Sequence, residues 1–495
     1  MKNKIIIAEA MSSAFNYLDD IRKKGYEPVI LETYFPDGYA KSLLEEERRE
    51  KYSRIQYPVT IIKEDPDYAV TLEKIKELDP LLVMPGCEDG VVIGTHLADD
   101  LGMPCTPFSN IDKMTKKSAM HQALKEAGLR YIRGEEVATE EECLSFLERT
   151  GTEDVVLKHA HGCFSVGLHL VHGKEELLEA FRTETAAGNN MFGEDETRLL
   201  LQERIFGDEY VVNTISRNGV PALLSVFRYY KTWLPSGACI YRGQESVSEF
   251  DEREKELVEY ALQTVRAVGI VDGPVHGEYM IDGNGPVLIE VNCRVMGGSM
   301  PAGFLDKVYG YHDTEVILDC MLDPAFHGEF LKRPYHTLRR GYTKDFYSDR
   351  DRPINASGIV PILLSMKSFY SGWVSSAARS SILQETKDLK TETGCIYMVH
   401  DDSEVTKKEF WDLMEIEEKH PELLHSNGPL FQPPEDAAKL TPEMAEVLER
   451  DPETLILDII LWLRNGKQGT PVVPEDLVSA NDHNREIMEW LEKFS

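Results

Sequence analysis

The sequence is poor in basic residues. It carries 54 Lys and Arg against 86 Asp and Glu, a formal net charge of -32 over 495 residues. A surface that binds nucleic acid needs clustered Lys and Arg to release counterions, and no run here is rich enough, so nucleic acid is excluded as the main partner. Attachment to a membrane surface through a polybasic patch fails for the same reason. Long hydrophobic runs are also missing: residues 455–463, the best candidate, are interrupted by Asp458 and fall short of the roughly 20 residues that a span requires. The amino terminus passes from two lysines into a strand-like apolar run without a cleavage-type sequence, so secretion is not expected and a cytoplasmic location is. The 8 cysteines, at 87, 105, 143, 163, 239, 293, 320 and 395, show no C-x-x-C spacing and no Cys/His cluster. They read as reduced thiols rather than a disulfide framework or a zinc site. The loop Ala8-Glu9-Ala10-Met11 after the first apolar run lacks glycine, which removes the dinucleotide fingerprint and with it the main support for hydride transfer.

What is present has ordinary globular composition, 42% hydrophobic and 28% charged, and a length that predicts about three domains. Strand-like runs at 5–8, 29–31, 57–62 and 81–84 alternate with helical spacing at 15–24 and 91–101, which predicts a parallel α/β sheet. A helix is expected over 115–127, closed by Gly128. From about 134 to 216 the pattern becomes strand, helix and strand, with Asn218-Gly219 as a two-residue hairpin signal. An amphipathic helix over 252–268 precedes strands at 275–281 and 286–291, joined by Asp282-Gly283-Asn284-Gly285. Beyond 330 the signals weaken: strands are expected at 358–365, 372–375 and 394–400 and a helix at 403–418. Residues 426–435 are Pro-rich and read as a linker to an acidic helical tail, in which Asp451 and Pro452 supply an N-cap and first turn.

Four features carry chemistry. Lys158 ends an apolar strand and leads into a loop, His159 to Gly167, with two glycines; an ammonium and close backbone N–H groups suit a polyphosphate. Glu278 and Glu290 stand on adjacent strands, with Asn292 on the face of Glu290. Two carboxylates and an amide oxygen are hard ligands for Mg2+, and Glu290 interrupts Leu288, Ile289 and Val291, where an unneutralised charge is costly. Arg294, followed by Met296-Gly297-Gly298, is placed to stabilise a transferring phosphoryl group or an oxyanion. Gln202-Glu203 and Gly207-Asp208-Glu209-Tyr210 offer acceptors for an adenine amino group and ribose hydroxyls. Taken singly, each is also read as an ordinary loop, solvated face or polar turn.

In this order the segments 111–128, 155–158, 201–203, 207–213, 276–278 and 289–294 resemble an ATP-grasp enzyme, and the similarity covers about 1 to 400. Residues 81–88 and 209–213 resemble those of carboxylate-amine ligases akin to the dipeptide-forming L-amino acid ligases. The resemblance implies an α/β and α+β chain in five parts. These are an N-terminal parallel α/β (pre-ATP-grasp) domain at 1–110, a lid and nucleotide subdomain at 111–215, a catalytic subdomain with the metal site at 216–330, a C-terminal α+β subdomain at 331–425, and a linker and helical tail at 426–495. It assigns Lys117 and Lys158 to ATP phosphates, with Lys113 a competitor for the first role, and adds His161 and Ser165 of the loop. Gln202 and Glu203 would meet adenine and Glu209 the ribose. Glu278, Glu290 and Asn292 would hold one or two Mg2+ ions, or Mn2+, and Arg294 would contact the transferred phosphate. The loop departs from the pattern at His161 and Cys163, and Asn213 stands where Asp is common.

The implied reaction activates a small-molecule carboxylate as an acyl phosphate and couples it to an amine, releasing ADP and phosphate. It needs no protein nucleophile, which fits the lack of a Ser/His/Asp or activated-Cys arrangement. His276, one strand period from Glu278, either orients a substrate carboxylate or steers the amine's proton, or is a core histidine. Glu88, Arg228, Lys231, Gly297 and Gly298 are candidates for substrate contacts. Two other readings stay open: a carboxylase or carbamoyl-phosphate-type enzyme using bicarbonate, and a non-catalytic nucleotide-binding protein. A homodimer is allowed.

Overall fold

The computed structural model describes residues 2–35, 39–159, 168–187, 198–234, 239–353, 358–374, 382–387, 391–425 and 428–494. The chain forms two compact units, Met1–Tyr229 with Ser246–Leu338, and Tyr230–Glu245 with Arg339–Ser495.

In the first unit β1 (Lys4–Ala8), β2 (Glu27–Glu32), β3 (Thr60–Lys63) and β4 (Leu82–Pro85) make a parallel sheet of order β3-β2-β1-β4. Ile5 and Ile7 join one apolar cluster and Ile6 and Ala8 another, so both faces of β1 are covered, as parallel sheets require. Burying each such side chain contributes about 1.5–3 kcal/mol. The turn after β4 presses on β1: a Cβ on Gly90 would lie 2.0 Å from the Ala8 carbonyl oxygen. That packing fixes Glu88 at the C-terminal edge of the sheet. A helix at Tyr39–Tyr52, which the sequence reading did not predict, adds Arg48 and Lys51 near this edge.

A second, antiparallel sheet has the order β5-β8-β6-β7, from β5 (Gly134–Val137), β6 (Asp154–His159), β7 (His169–His172) and β8 (Leu199–Glu203). Helices Glu140–Thr150 and Gly173–Ala187 contribute Phe146 and Phe181 to its core. The third sheet of this unit runs β13-β12-β9-β10, from β9 (Asp208–Arg217), β10 (Val220–Trp233), β12 (Gly273–Asp282) and β13 (Gly285–Asn292). Asn218 and Gly219, with φ of 52° and 75°, form the expected turn between β9 and β10. Helix Glu252–Val268 starts with a capping box between Asp251 and Glu254 and buries Leu257, Ala261 and Val265. The helix expected over 115–127 is present as Lys117–Glu126; Lys116 is extended (φ -106°, ψ 119°) and separates it from a short helix, Ile111–Thr115.

The second unit holds β11 (Cys239–Ser246), β14 (Gly341–Phe346), β16 (Phe369–Val374) and β18 (Gly394–Val399) in the order β11-β14-β18-β16, with a short pair β15 (Arg352–Pro353) and β17 (Ile382–Leu383). Residues 358–365, expected as a strand, are instead the helix Ile359–Ser365. A seven-residue apolar run has no polar face to reveal its period, and here Ile359, Ile362 and Leu363 are all buried. Of residues 426–495, read as linker and tail, the described part at 428–494 supplies apolar side chains to this unit's core. Helices Pro442–Glu449, Pro452–Arg464 and Asp482–Glu492 bring Met444, Ile456, Ile459, Ile487 and Leu491 into the cluster that holds Tyr342, Ile396 and Phe410. Asp451 caps the second of these helices through Thr454 N, with Pro452 in its first turn. Among the described residues no helix is long and apolar enough to cross a membrane.

Candidate active site

The β12–β13 hairpin builds the site. Its register sets His276 opposite Asn292 and Glu278 opposite Glu290, and the two-residue period puts all four on one face. Like charges directly opposite one another repel, so this face requires a cation. Lys117 provides one: its Nζ lies 2.5 Å from Glu290 Oε2. The break at Lys116 makes Lys117 the first residue of its helix and directs it to the hairpin. Burial opposes charge on Glu290, but Lys117 and then Lys158 outweigh it and hold its carboxyl well below the usual range. For Lys117 too burial works against the charge, and Glu290 overcomes it, raising the ammonium's pKa. Lys158 has no such close carboxylate; burial, then Lys117, pushes it down to about 8. Of the three lysines in the preceding segment, Lys117 reaches the hairpin while Lys116 pairs with Asp112 at 2.9 Å.

Asn292 Nδ2 points to Glu290 Oε1 at 3.3 Å, which turns the amide oxygen away from that carboxylate. Glu278, Glu290 and Asn292 therefore present two carboxylates and a carbonyl oxygen on one surface, a donor set that fits a hard divalent cation.

His276 is 3% exposed; its Nδ1 is held by Asn213 Oδ1 at 2.9 Å, and its Nε2 lies 3.3 Å from Glu278 Oε1. Asn213 Nδ2 donates to Ser225 Oγ at 2.9 Å and faces Met296 Sδ at 3.3 Å, and Ser225 Oγ donates to Asp313 Oδ2 at 3.0 Å. Sequence reasoning named Asn213 only as a departure and missed Ser225 and Asp313. It also missed His121, which is buried one helical turn after Lys117; burial, then Lys158, pushes its pKa down to about 3 and keeps the ring neutral. Its spacing of four from Lys117 was the available signal.

Arg294 stands where the hairpin meets the N-terminal sheet. Its Nε lies 3.4 Å from Glu88 Oε2 and its Nη1 donates to the Val295 carbonyl at 3.0 Å. Gly297 and Gly298 belong to a loop tied to the amino-terminal segment: Ser13 Oγ donates to the Gly297 carbonyl at 2.9 Å, Met300 N donates to Ser13 Oγ at 2.9 Å, and Asn16 Nδ2 donates to the Met300 carbonyl at 2.9 Å.

The other expected residues lie further from this face. Glu203 ends β8 with its carboxylate held by Arg133, which donates from its backbone N at 2.9 Å and from Nη2 at 2.6 Å. Gln202 is buried beneath it. Glu209 is on β9, in register with Met280 and Tyr229. Arg228 pairs with Asp208 at 2.7 Å, and Lys231 lies in the second unit, 4.2 Å from the Tyr241 ring centroid. His161 and Ser165 lie outside the described residues.

Comparison with known proteins accords with this arrangement. Residues 151–302 match the ATP-grasp domain family. The chain is 25% identical over 437 residues to dapdiamide A synthase of Enterobacter agglomerans, covering 84% of this chain and 96% of that one. It is also 25% identical over 318 residues to carnosine synthase 1 of Mus musculus, covering 58% of this chain but only 36% of that protein. Its fold is similar to the crystal structure of L-amino acid ligase from Bacillus licheniformis, with a TM-score of 0.67, 18% identity and coverage of 84% of this chain and 97% of that one. The chain thus carries an ATP-grasp domain at residues 151–302, and it resembles a dapdiamide synthase in sequence and an L-amino acid ligase in fold.

Proposed function

We propose that this chain is an ATP- and Mg2+-dependent ligase that activates the carboxylate of an amino acid as an acyl phosphate and joins it to an amine, releasing ADP and phosphate. The observation that carries the reading is the pairing of Glu278 with Glu290 across the hairpin, flanked by Lys117, Lys158 and Arg294. A surface with two opposed carboxylates and three cations suits a metal-bound polyphosphate and has no comparable use in a structural hairpin. The relative named as an L-amino acid ligase and the one named as a carnosine synthase support amino acids as substrates.

Glu278, Glu290 and Asn292 would hold Mg2+, which neutralises charge on the phosphates when bound. Lys117 and Lys158 bind the phosphate oxygens, and Glu203 and Glu209 are assigned to the adenosine end. The substrate carboxylate oxygen attacks the γ-phosphorus in line, and the bond from that phosphorus to the ADP oxygen breaks. Arg294, oriented by Glu88 and the Val295 carbonyl, directs its guanidinium to the transferred phosphate. The amine nitrogen then attacks the acyl carbon, phosphate leaves with the electrons of the C–O bond, and the nitrogen loses its proton. With Nδ1 of His276 committed to Asn213, Nε2 is the nitrogen on the site side, and we assign His276 to orient the reacting groups there.

The test is a phosphate-release screen with ATP, Mg2+ and pairs of amino acids, with product masses read directly. Amide products are expected, and Glu290→Gln and Arg294→Ala should each abolish release while the protein stays folded. Release that follows bicarbonate instead of amines, or unchanged turnover in both variants, would overturn the proposal.

A further inference from the structure

Away from the nucleotide site, two histidines and a glutamate of the second unit converge. His420 closes the helix Ser403–Lys419, Glu422 opens the helix Glu422–His425, and His483 lies in the first turn of Asp482–Glu492. One donor atom from each lies within 4.8 Å of the others. Glu422 Oε1 is the meeting point, 3.0 Å from His420 Nδ1 and 3.7 Å from His483 Nδ1. Such separations are close to the spacing of neighbouring ligands around one ion, given metal-to-ligand distances of about 2 Å.

The outer nitrogens decide the chemistry. His483 Nε2 lies 3.3 Å from the Leu430 carbonyl oxygen, a group that only accepts, so this nitrogen carries the proton. His420 Nε2 faces Glu486 Oε2 at 3.5 Å, one helical turn along from His483, and a carboxylate likewise accepts. Both rings turn Nδ1 to the same carboxylate oxygen, so two imidazole nitrogens and one carboxylate oxygen converge on one point. A carbonyl or carboxylate on the far nitrogen is also the usual outer support of a metal-bound histidine. His420 is 5% exposed at its side chain while His483 and Glu422 are 24% and 31% exposed, so the cluster is anchored in the core and open on one side for an ion to enter.

We propose that His420, Glu422 and His483 form a binding site for a zinc-type divalent ion, with water completing a four-coordinate shell. Two imidazoles with one carboxylate favour zinc over the hard, oxygen-seeking Mg2+ and Ca2+. The ion would join the end of one helix, the start of the next and the C-terminal helix, as a structural brace independent of the proposed ligase chemistry.

The test uses the full chain, treated with chelator and then held in millimolar Mg2+ so that the hard carboxylate site is occupied. Zinc titration is expected to show one tight equivalent and a rise in melting temperature. Co2+ as a probe is expected to give tetrahedral absorption bands without thiolate charge transfer. His483→Gln, at the open edge and tolerable to the fold, should remove tight binding, and Glu486→Gln should weaken it by about tenfold. No tight equivalent, undiminished binding in His483→Gln, or a thiolate band from one of the cysteines would each overturn the proposal.

Discussion

Asn213 presents its amide oxygen to Nδ1 of His276 at 2.9 Å, and nothing about that amide is free to turn. Its Nδ2 faces Ser225 Oγ, whose own proton goes to Asp313. A flipped amide would set oxygen against an oxygen with no hydrogen left to share. Nδ1 of His276 is therefore the protonated nitrogen, and its ring orientation is inherited from a carboxylate buried on the helix Asp313–Leu322.

Asn213→Leu should lower turnover by about 100-fold through misplacement of His276 and destabilise the fold by about 1–3 kcal/mol for the orphaned ring nitrogen. Asn213→Asp keeps an acceptor for Nδ1 but sets its second oxygen against Ser225 Oγ, so it should restore part of the rate and not all of it. Steady-state kinetics should show the loss in kcat rather than in KM for ATP.

Lys117→Met should leave Glu278 and Glu290 facing each other without their closest cation, with Lys158 offsetting part of the repulsion, at a cost of about 3 kcal/mol typical of a broken buried pair. Millimolar Mg2+ should recover part of the loss. Thermal melts with and without the metal test this, and a variant as stable as the parent in chelator would contradict the assigned role of the lysine.

With its pKa pushed down to about 8, Lys158 loses its charge within an accessible range. A phosphate group binds the ammonium and not the amine, so affinity for ATP should fall about tenfold per pH unit above pH 8. The decline should be absent in Lys158→Arg, which stays charged. Nucleotide titrations between pH 7 and 9.5 provide the measurement.

His312 lies between Asp20, at 3.0 Å, and Asp306, at 2.8 Å. Burial opposes its charge, but hydrogen bonds to these acids raise its pKa to about 10. The folded-state value lies above the ordinary one of 6.5, so the contribution is complete below that pH and is lost as pH rises through 10. Asp20 behaves inversely: burial opposes its ionisation, yet His312 and Thr314 lower its pKa, so its share is lost as pH falls below the ordinary carboxylate range. Melting temperature should therefore decline on both sides, and His312→Ala should flatten the alkaline limb while costing about 3 kcal/mol at neutral pH.

The parts of this site that follow strand alternation were legible in the sequence. Alternation puts His276 with Glu278 and Glu290 with Asn292, but the turn register alone would set Glu278 opposite Ile289; a bulge between Glu278 and Tyr279, which no spacing announces, brings the two carboxylates opposite each other. Lys117 was harder, because three lysines compete within five positions and only the extended Lys116 decides among them. Asp313 and Ser225 are separated from His276 by tens of residues and meet it only through sheet packing, which no local spacing encodes. The helix at 359–365 was misread because a short, almost wholly apolar run has too few polar positions to show its period; the C-terminal segment was read correctly as helical, but an acidic, Pro-broken sequence hides how firmly its apolar residues pack. The commitment of Glu203 to Arg133 likewise depends on a neighbour 70 positions away.

The ion pair between Lys117 and Glu290 gives the resting site a resident placeholder. On the proposed function, a metal-bound nucleotide that took over that carboxylate would release the ammonium within reach of the arriving phosphates, so one positive charge would be exchanged for another. Docking then resembles ion exchange more than attraction from a distance. The strongly acidic exterior thereby loses much of its power to repel the ligand, and affinity should depend less on ionic strength than the gross charges of the two partners suggest.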